Sequence, residues 1–165
     1  MKGERTVLLM DANVLIDFCK SDASVIALVS SEIGTVHIPR PLLEEEVEKL
    51  QRQDWTALGV VAVEPSLAMA SAAAVRRSGL SFHDVLCLLV AKEHGWTCVT
   101  NDVRLRRECR AERVPVLWGL ELLLMLAERG VLSREAAWSI GDAIHQANPF
   151  ITAKVLAEFR KRLRR

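Results

Sequence analysis

The run Thr6–Met10, TVLLM, constrains this chain more than any other segment. A strand with one face in water alternates apolar and polar residues, so an unbroken apolar run points to a strand covered on both faces. It stops abruptly at Asp11. Comparable short runs recur at about 36–38, 60–63, 97–100 and 114–117. Between them lie segments of helical periodicity, over about 13–19, 24–30, 41–53, 66–77, 81–94 and 103–111, and further ones follow at 119–129, 134–147 and 149–163. Their ends carry the expected signals. Pro39 and Pro41 introduce one helix, Ser81 caps another, and Gly79, Gly95 and Gly130 stand past helix ends. Strands separated by helices imply an α/β fold with a mostly parallel central sheet and helices on both of its faces.

A length of 165 residues suits one compact domain, and 50% hydrophobic with 26% charged residues argues against disorder. The net charge of +1 conceals an asymmetry. Residues 154–165 hold six basic side chains against Glu158 alone, which leaves residues 1–153 with 16 basic and 20 acidic groups. The longest apolar run, near Leu120–Ala127, is too short for a membrane span and contains Glu121. The apolar stretch behind Lys2 and Arg5 is broken at Asp11, which disfavours a signal peptide. Cys19, Cys87, Cys98 and Cys109 form no CxxC and no zinc-type pairing with His, so the expectation is reduced thiols in a cytoplasmic protein without membrane contact. Gly-rich phosphate loops, GxSxG and HExxH are all missing.

The acids carry the chemistry. In open α/β sheets ligands bind beyond the carboxyl ends of the strands, where Asp11 and Asp102 fall. Asp84 is the charged member of an apolar first turn in the helix Ser81–His94, where a carboxylate also gains from the helix dipole. Among Glu44, Glu45, Glu46 and Glu48, the apolar face of Leu42, Leu43, Val47 and Leu50 selects one. At 100° per residue Glu46 lies about 40° from the centre of that face and Glu45 about 140° away. Four carboxylates converging on one pocket would repel one another and raise each other's pKa, a conflict that a hard divalent cation resolves. Mg²⁺ or Mn²⁺ suits an all-oxygen donor set, and such an ion serves phosphodiester hydrolysis.

The segments LLMDANVLIDF (8–18), IPRPLLEEEVEKL (38–50), LSFHDVLCLLVAKEHGWTCVTND (80–102) and VRLRREC (103–109) resemble the PIN-domain nucleases, especially the VapC-like toxins of bacterial and archaeal toxin–antitoxin pairs. The likeness covers about residues 6–118. It implies a three-layer α/β/α domain over 1–118, with a C-terminal helical extension, 119–165, packed on the same domain or on a partner. It implies that Asp11, Glu46, Asp84 and Asp102 bind one or two Mg²⁺ or Mn²⁺ ions. Glu45 also fits the spacing from Pro39. Asn13 matches a position that supports the first Asp, and Thr100 and Asn101 match a polar stretch that positions the last acid. The implied activity is endonucleolytic RNA cleavage by in-line attack of water, leaving 5′-phosphate and 3′-hydroxyl ends.

The resemblance leaves the basic residues open. Arg104, Arg106, Arg107, Arg110 and Arg113 follow Asp102, and Arg104 and Arg106 are nearest to it in sequence as candidate RNA contacts. The competing reading is a solvated helix with local pairs such as Arg104–Glu108. His83 adjoins Asp84 but is not required by the resemblance, and Trp96 and Trp118 read as packing residues. The apolar excess beyond residue 119 fits homodimerisation or an antitoxin contact. A haloacid-dehalogenase-type phosphatase would need an acid where Asn13 stands. The alternative that remains is a PIN fold that binds RNA or protein without cutting.

Overall fold

A computed structural model describes residues 5–76 and 78–165. The chain runs β1 (Thr6–Met10), α1 (Ala12–Asp22), α2 (Ser24–Glu32) and β2 (Gly34–Pro39). A helical stretch in three pieces follows: α3 (Arg40–Leu42), a π turn (Leu43–Val47) and α4 (Glu48–Leu50). Then come β3 (Val60–Val63), α5 (Leu67–Val75), α6 (Phe82–His94), β4 (Thr97–Val99), α7 (Val103–Ala111) and β5 (Val116–Leu117). Three helices close the chain: α8 (Gly119–Glu128), α9 (Arg134–Ala147) and α10 (Ala153–Leu163).

The strands form one parallel sheet in the order β3-β2-β1-β4-β5. β1 is the middle strand, and its consecutive Leu8, Leu9 and Met10 are all fully buried. Consecutive strand residues point to opposite faces, so both faces of the sheet are covered, as the unbroken apolar run requires. The architecture is therefore three layers, α/β/α. The chain builds from β1 outward to β2 and β3, then returns to place β4 and β5 on the other side. The gap between β1 and β4 is thus the point where the strand order reverses, the usual ligand crevice of such sheets. Asp11 leaves β1 there, and the Thr100–Asp102 turn leaves β4.

The C-terminal helices pack on this sheet domain. α9 lies against α1, α8 against α2, and α10 covers α8 and α9. Three buried hydrogen bonds reinforce the arrangement. Asp17 of α1, 7% exposed, accepts hydrogen bonds from the amides of Asn148 (2.8 Å) and Asn101 (3.4 Å). Asn101 in turn accepts from Gly119 N at 2.9 Å, so α1, the β4 turn, the start of α8 and the end of α9 meet at one buried carboxylate. Burial raises the Asp17 pKa, while the two amides and Lys20 oppose the rise.

Some boundaries differ from the sequence expectation. The last helix starts at Ala153 rather than 149, because Asn148 Oδ1 holds Phe150 N in a turn and Thr152 caps Val155 N. The helix expected over 41–53 ends at Leu50 and contains the π turn. That turn breaks the assumed 100° step, and Leu50, assigned to the apolar face, is 62% exposed. The expected helix over 66–77 reaches Val75, and Arg77 lies outside the described residues.

Gly141 of α9 faces the ring of Phe159 on α10, where an added Cβ would sit 2.5 Å from Cε1. Phe159 is buried and stacks on Trp138 at 6.4 Å between centroids, so the ring has little freedom to retreat. Overpacking of about 1–3 kcal/mol opposes the gain of about 1 kcal/mol in helix propensity. Gly141→Ala is expected to lower the denaturation midpoint, and Gly141→Ala with Phe159→Leu to recover part of the loss. A Gly141→Ala protein at least as stable as the parent would contradict the packing described.

Candidate functional site

Asp11 is the centre of the candidate site. It follows β1, its backbone N donates to Val99 O at 2.9 Å, and its side chain is 2% exposed. Burial is the main cause that pushes its pKa up to about 7, followed by the charge of Asp84, with Glu46 adding to the rise. The hydroxyl of Thr100 donates to Asp11 Oδ2 at 2.9 Å and, with a hydrogen bond from Ala12 N, opposes that shift. The same hydroxyl oxygen accepts from Asp102 N at 3.1 Å. One buried threonine therefore ties together the ends of two adjacent parallel strands.

Asp102 stands at the head of α7. Its Oδ1 accepts from Arg104 N (2.7 Å) and Leu105 N (3.0 Å), satisfying two of the free amides of the first turn. Asp84 heads α6 in a reciprocal cap. Ser81 Oγ accepts from Asp84 N at 3.1 Å, and Asp84 Oδ2 accepts weakly from Ser81 N at 3.4 Å. Both acids thus have helix-capping roles. Capping alone does not account for their mutual repulsion: burial raises the Asp84 pKa first, and the charges of Asp102 and Glu46 raise it further against the Ser81 bond. No ion pair among the described residues involves Asp11, Asp84 or Asp102.

The glutamates arrive on the π turn, which adds a residue per turn and re-aims side chains. Glu46 is the more inward, its side chain 36% exposed against 60% for Glu45. Glu46 also acts on both Asp11 and Asp84, and Glu45 on neither among their principal influences. His83 holds both: its Nδ1 meets Glu46 Oε1 at 2.6 Å and its Nε2 meets Glu45 Oε2 at 2.8 Å. Burial lowers the His83 pKa, but the hydrogen bonds to Glu46 and Glu45 outweigh it and the net shift is upward. The sequence reading set His83 aside. Its position directly before Asp84, facing an acid run, was the available signal.

The four acids are therefore brought into electrostatic contact. Among the described residues, however, no three His, Cys, Asp or Glu side chains stand close enough to enclose a metal ion. Part of the reason is visible: Glu46 is turned onto His83, and Asp102 Oδ1 is occupied by α7. The donor chemistry nonetheless fits a hard cation, because Asp11 is buried among carboxylates and no ion pair among the described residues offsets it.

Three expected supporting roles are revised. Asn13 is exposed and makes no hydrogen bond to Asp11 among the described residues; Thr100 takes that role. Asn101, 4% exposed, serves the Asp17 network instead of orienting Asp102. Arg106 is only 4% exposed, with its guanidinium 3.9 Å from the Trp118 ring centre, so it is no surface contact for RNA. Leu105, Arg106 and Cys109 form the buried face of α7, which leaves Arg104 and Arg107, three residues apart, on the outer face. Burial pushes the Arg106 pKa down to about 10, with Arg110 adding to the effect and Glu121 opposing it. The Arg104–Glu108 pair does not form; Glu108 meets Arg76 at 3.5 Å instead.

A parallel sheet with carboxylates gathered at its strand-order reversal defines an α/β class that carries acid side chains where such sheets usually take their ligands. A family model described as a PIN domain matches residues 7–165. The chain belongs to the PIN-domain family, a nuclease-like fold, and the match takes in the C-terminal helices as well as the sheet. Searches of curated proteins and of solved structures give no match. No helix among the described residues is long and apolar enough to cross a membrane, and all four cysteines are free.

The raised Asp11 pKa has a stability consequence. A carboxyl whose folded pKa exceeds its unfolded value of 3.8 favours folding fully below that value, and the advantage is lost as pH rises to about 7. Asp11→Asn removes that charge while keeping an acceptor for Thr100. In chelator, it is expected to raise unfolding free energy by on the order of 2–4 kcal/mol at pH 8 and to change it little at pH 3.5. An equal effect at both pH values in denaturant titrations would contradict the burial of a charged Asp11.

Proposed function

We propose that the chain is a Mg²⁺- or Mn²⁺-dependent endoribonuclease whose ligands are Asp11, Glu46, Asp84 and Asp102. The observation that carries this reading is Asp11, buried, pressed by Asp84 and Glu46, and without an ion pair among the described residues. A bound divalent ion supplies charge neutralisation on a phosphodiester and acidifies water. The chain's own part is to hold the donors. Thr100 fixes Asp11 relative to the β4 turn, α6 presents Asp84, and α7 presents Asp102. Glu46, once released from His83, would hold a second ion or orient the attacking water. Glu46 is preferred over Glu45 because it is the glutamate whose charge reaches Asp11 and Asp84.

RNA is the proposed substrate, and a toxin paired with an antitoxin protein is the proposed biological role, in a cytoplasmic setting. Both rest on the likeness of 8–18, 38–50 and 80–109 to VapC-like toxins. A partner surface has separate support in α5, LAMASAAAV, which carries only one buried residue and leaves Leu67 84% and Val75 77% exposed. An apolar helix so uncovered suits a homodimer or an antitoxin segment.

The test is cleavage of RNA by purified protein in Mg²⁺, Mn²⁺ or EDTA. Asp84→Asn and Asp102→Asn retain cap acceptors, so folding is expected to survive while charge is lost. Activity is expected only with the divalent ion, and to fall at least about 100-fold in Asp11→Asn and Asp84→Asn, equivalent to about 2.7 kcal/mol of barrier. Cleavage that persists in EDTA and in both variants would refute the metal-nuclease reading. RNA binding without any cleavage would favour a non-catalytic module.

A further inference from the structure

We infer a phosphate subsite beside the acid cluster, formed by Ser78, Arg104 and Arg107, that takes a backbone phosphate of single-stranded RNA neighbouring the one acted on. The inference rests on the nuclease reading for its substrate, though not for its chemistry.

The loop before α6 (Ser78, Gly79, Leu80) and the outer face of α7 (Arg104, Arg107, Glu108) line an open cavity of about 210 Å³. Its polar groups are unusually unspent. Ser78 Oγ is buried and has no hydrogen-bond partner among the described residues, a condition that costs about 1–3 kcal/mol unless a ligand or water relieves it. Arg107 is exposed and takes part in no ion pair or side-chain hydrogen bond among the described residues. Arg104 makes one long bond, Nη1 to Gly79 O at 3.4 Å. The acid of the cavity, Glu108, faces Arg76 at 3.5 Å, which offsets part of its charge. Two arginines therefore line a space with little opposing charge, beside a hydroxyl that has no hydrogen-bond partner among the described residues.

Guanidinium forks match the tetrahedral oxygens of phosphate, and a buried hydroxyl adds a directed donor. The cavity also adjoins the acids through the chain itself. Leu80 precedes Ser81, whose hydroxyl caps Asp84, and Arg104 N donates to the Asp102 carboxylate. A strand whose one phosphate lies between Asp84 and Asp102 thus continues past this cavity. Free phosphate shares the recognition chemistry of an RNA backbone phosphate, so the two sources are separated by experiment.

The experiment uses the full chain carrying Asp11→Asn in EDTA, where RNA is bound and not cut. Fluorescence anisotropy of a short labelled ribo-oligonucleotide is measured across salt concentrations. Arg107→Gln is expected to weaken binding about 5- to 10-fold at low salt and to reduce the log–log salt slope by about 0.7. Arg107→Lys keeps the charge, so the slope is expected to hold while affinity falls less. Ser78→Ala is expected to weaken binding about 3-fold without changing the slope. Inorganic phosphate is expected to compete in the parent and not in Arg107→Gln.

Unchanged RNA affinity and slope in Arg107→Gln would overturn the subsite, whatever the cleavage assay shows. Phosphate binding that depends on Arg107 while RNA binding does not would overturn its assignment to the RNA backbone. A failed cleavage assay with the expected binding results would refute only the nuclease reading. Melting temperatures no more than a degree or two below that of the parent are the control that each variant is folded.

Discussion

Everything at the crevice depends on the hydroxyl of Thr100. It donates to Asp11 and accepts from the backbone of Asp102, joining the carboxyl ends of β1 and β4 across the reversal of strand order. Asp11 is buried by the same packing that covers β1 on both faces, so the price of a continuous apolar strand is a carboxylate stranded in low dielectric. Thr100 and one backbone amide relieve only part of that cost, and the pKa settles near 7. Asp84 and Glu46 make the conflict worse rather than better. A site built this way would gain from a cation, because no ion pair among the described residues offsets Asp11, Asp84 or Asp102.

The surrounding elements serve that arrangement at a second level. α6 and α7 each begin with an acid that caps the helix while contributing negative charge to the crevice. Stability and chemistry are thus linked in the same carboxylates. Asn101 links the β4 turn to Asp17, and Asn148 brings the end of α9 to the same carboxylate. The C-terminal helices are therefore hydrogen-bonded to the turn that presents Asp102, consistent with a family match that extends to residue 165. His83 adds a counterweight by holding Glu46 and Glu45 together on the π turn.

Much of this was legible in the sequence where one residue decides one thing. The unbroken TVLLM run led to a central, doubly covered strand, and the polar stops at Asp11 and Thr100–Asp102 marked the crevice. The inward bias of Glu46 over Glu45 was also readable, although the face calculation assumed a regular helix and misplaced Leu50 across the π turn. Less legible were the features set by tertiary contact. Nothing local distinguishes Arg106, stacked on Trp118, from Arg104 and Arg107, which face solvent, until α7 is docked with Leu105 and Cys109 inward. Asn13 and Asn101 stand as site residues only through the resemblance, at positions matching polar residues that support the family's acids. Their side chains go elsewhere, one to solvent and one to Asp17.

The central claim is that the crevice is an electrostatic conflict which a divalent ion resolves by displacing a proton from Asp11. Isothermal titration of Mn²⁺ at pH 7, in buffers of different ionisation enthalpy, measures both binding and proton release. With the Asp11 carboxyl pushed up to about 7, binding is predicted to release protons at pH 7, fewer at pH 9, and fewer at pH 7 in Asp11→Asn than in the parent. Absence of binding, or binding with the same proton count at both pH values and in the variant, would contradict it.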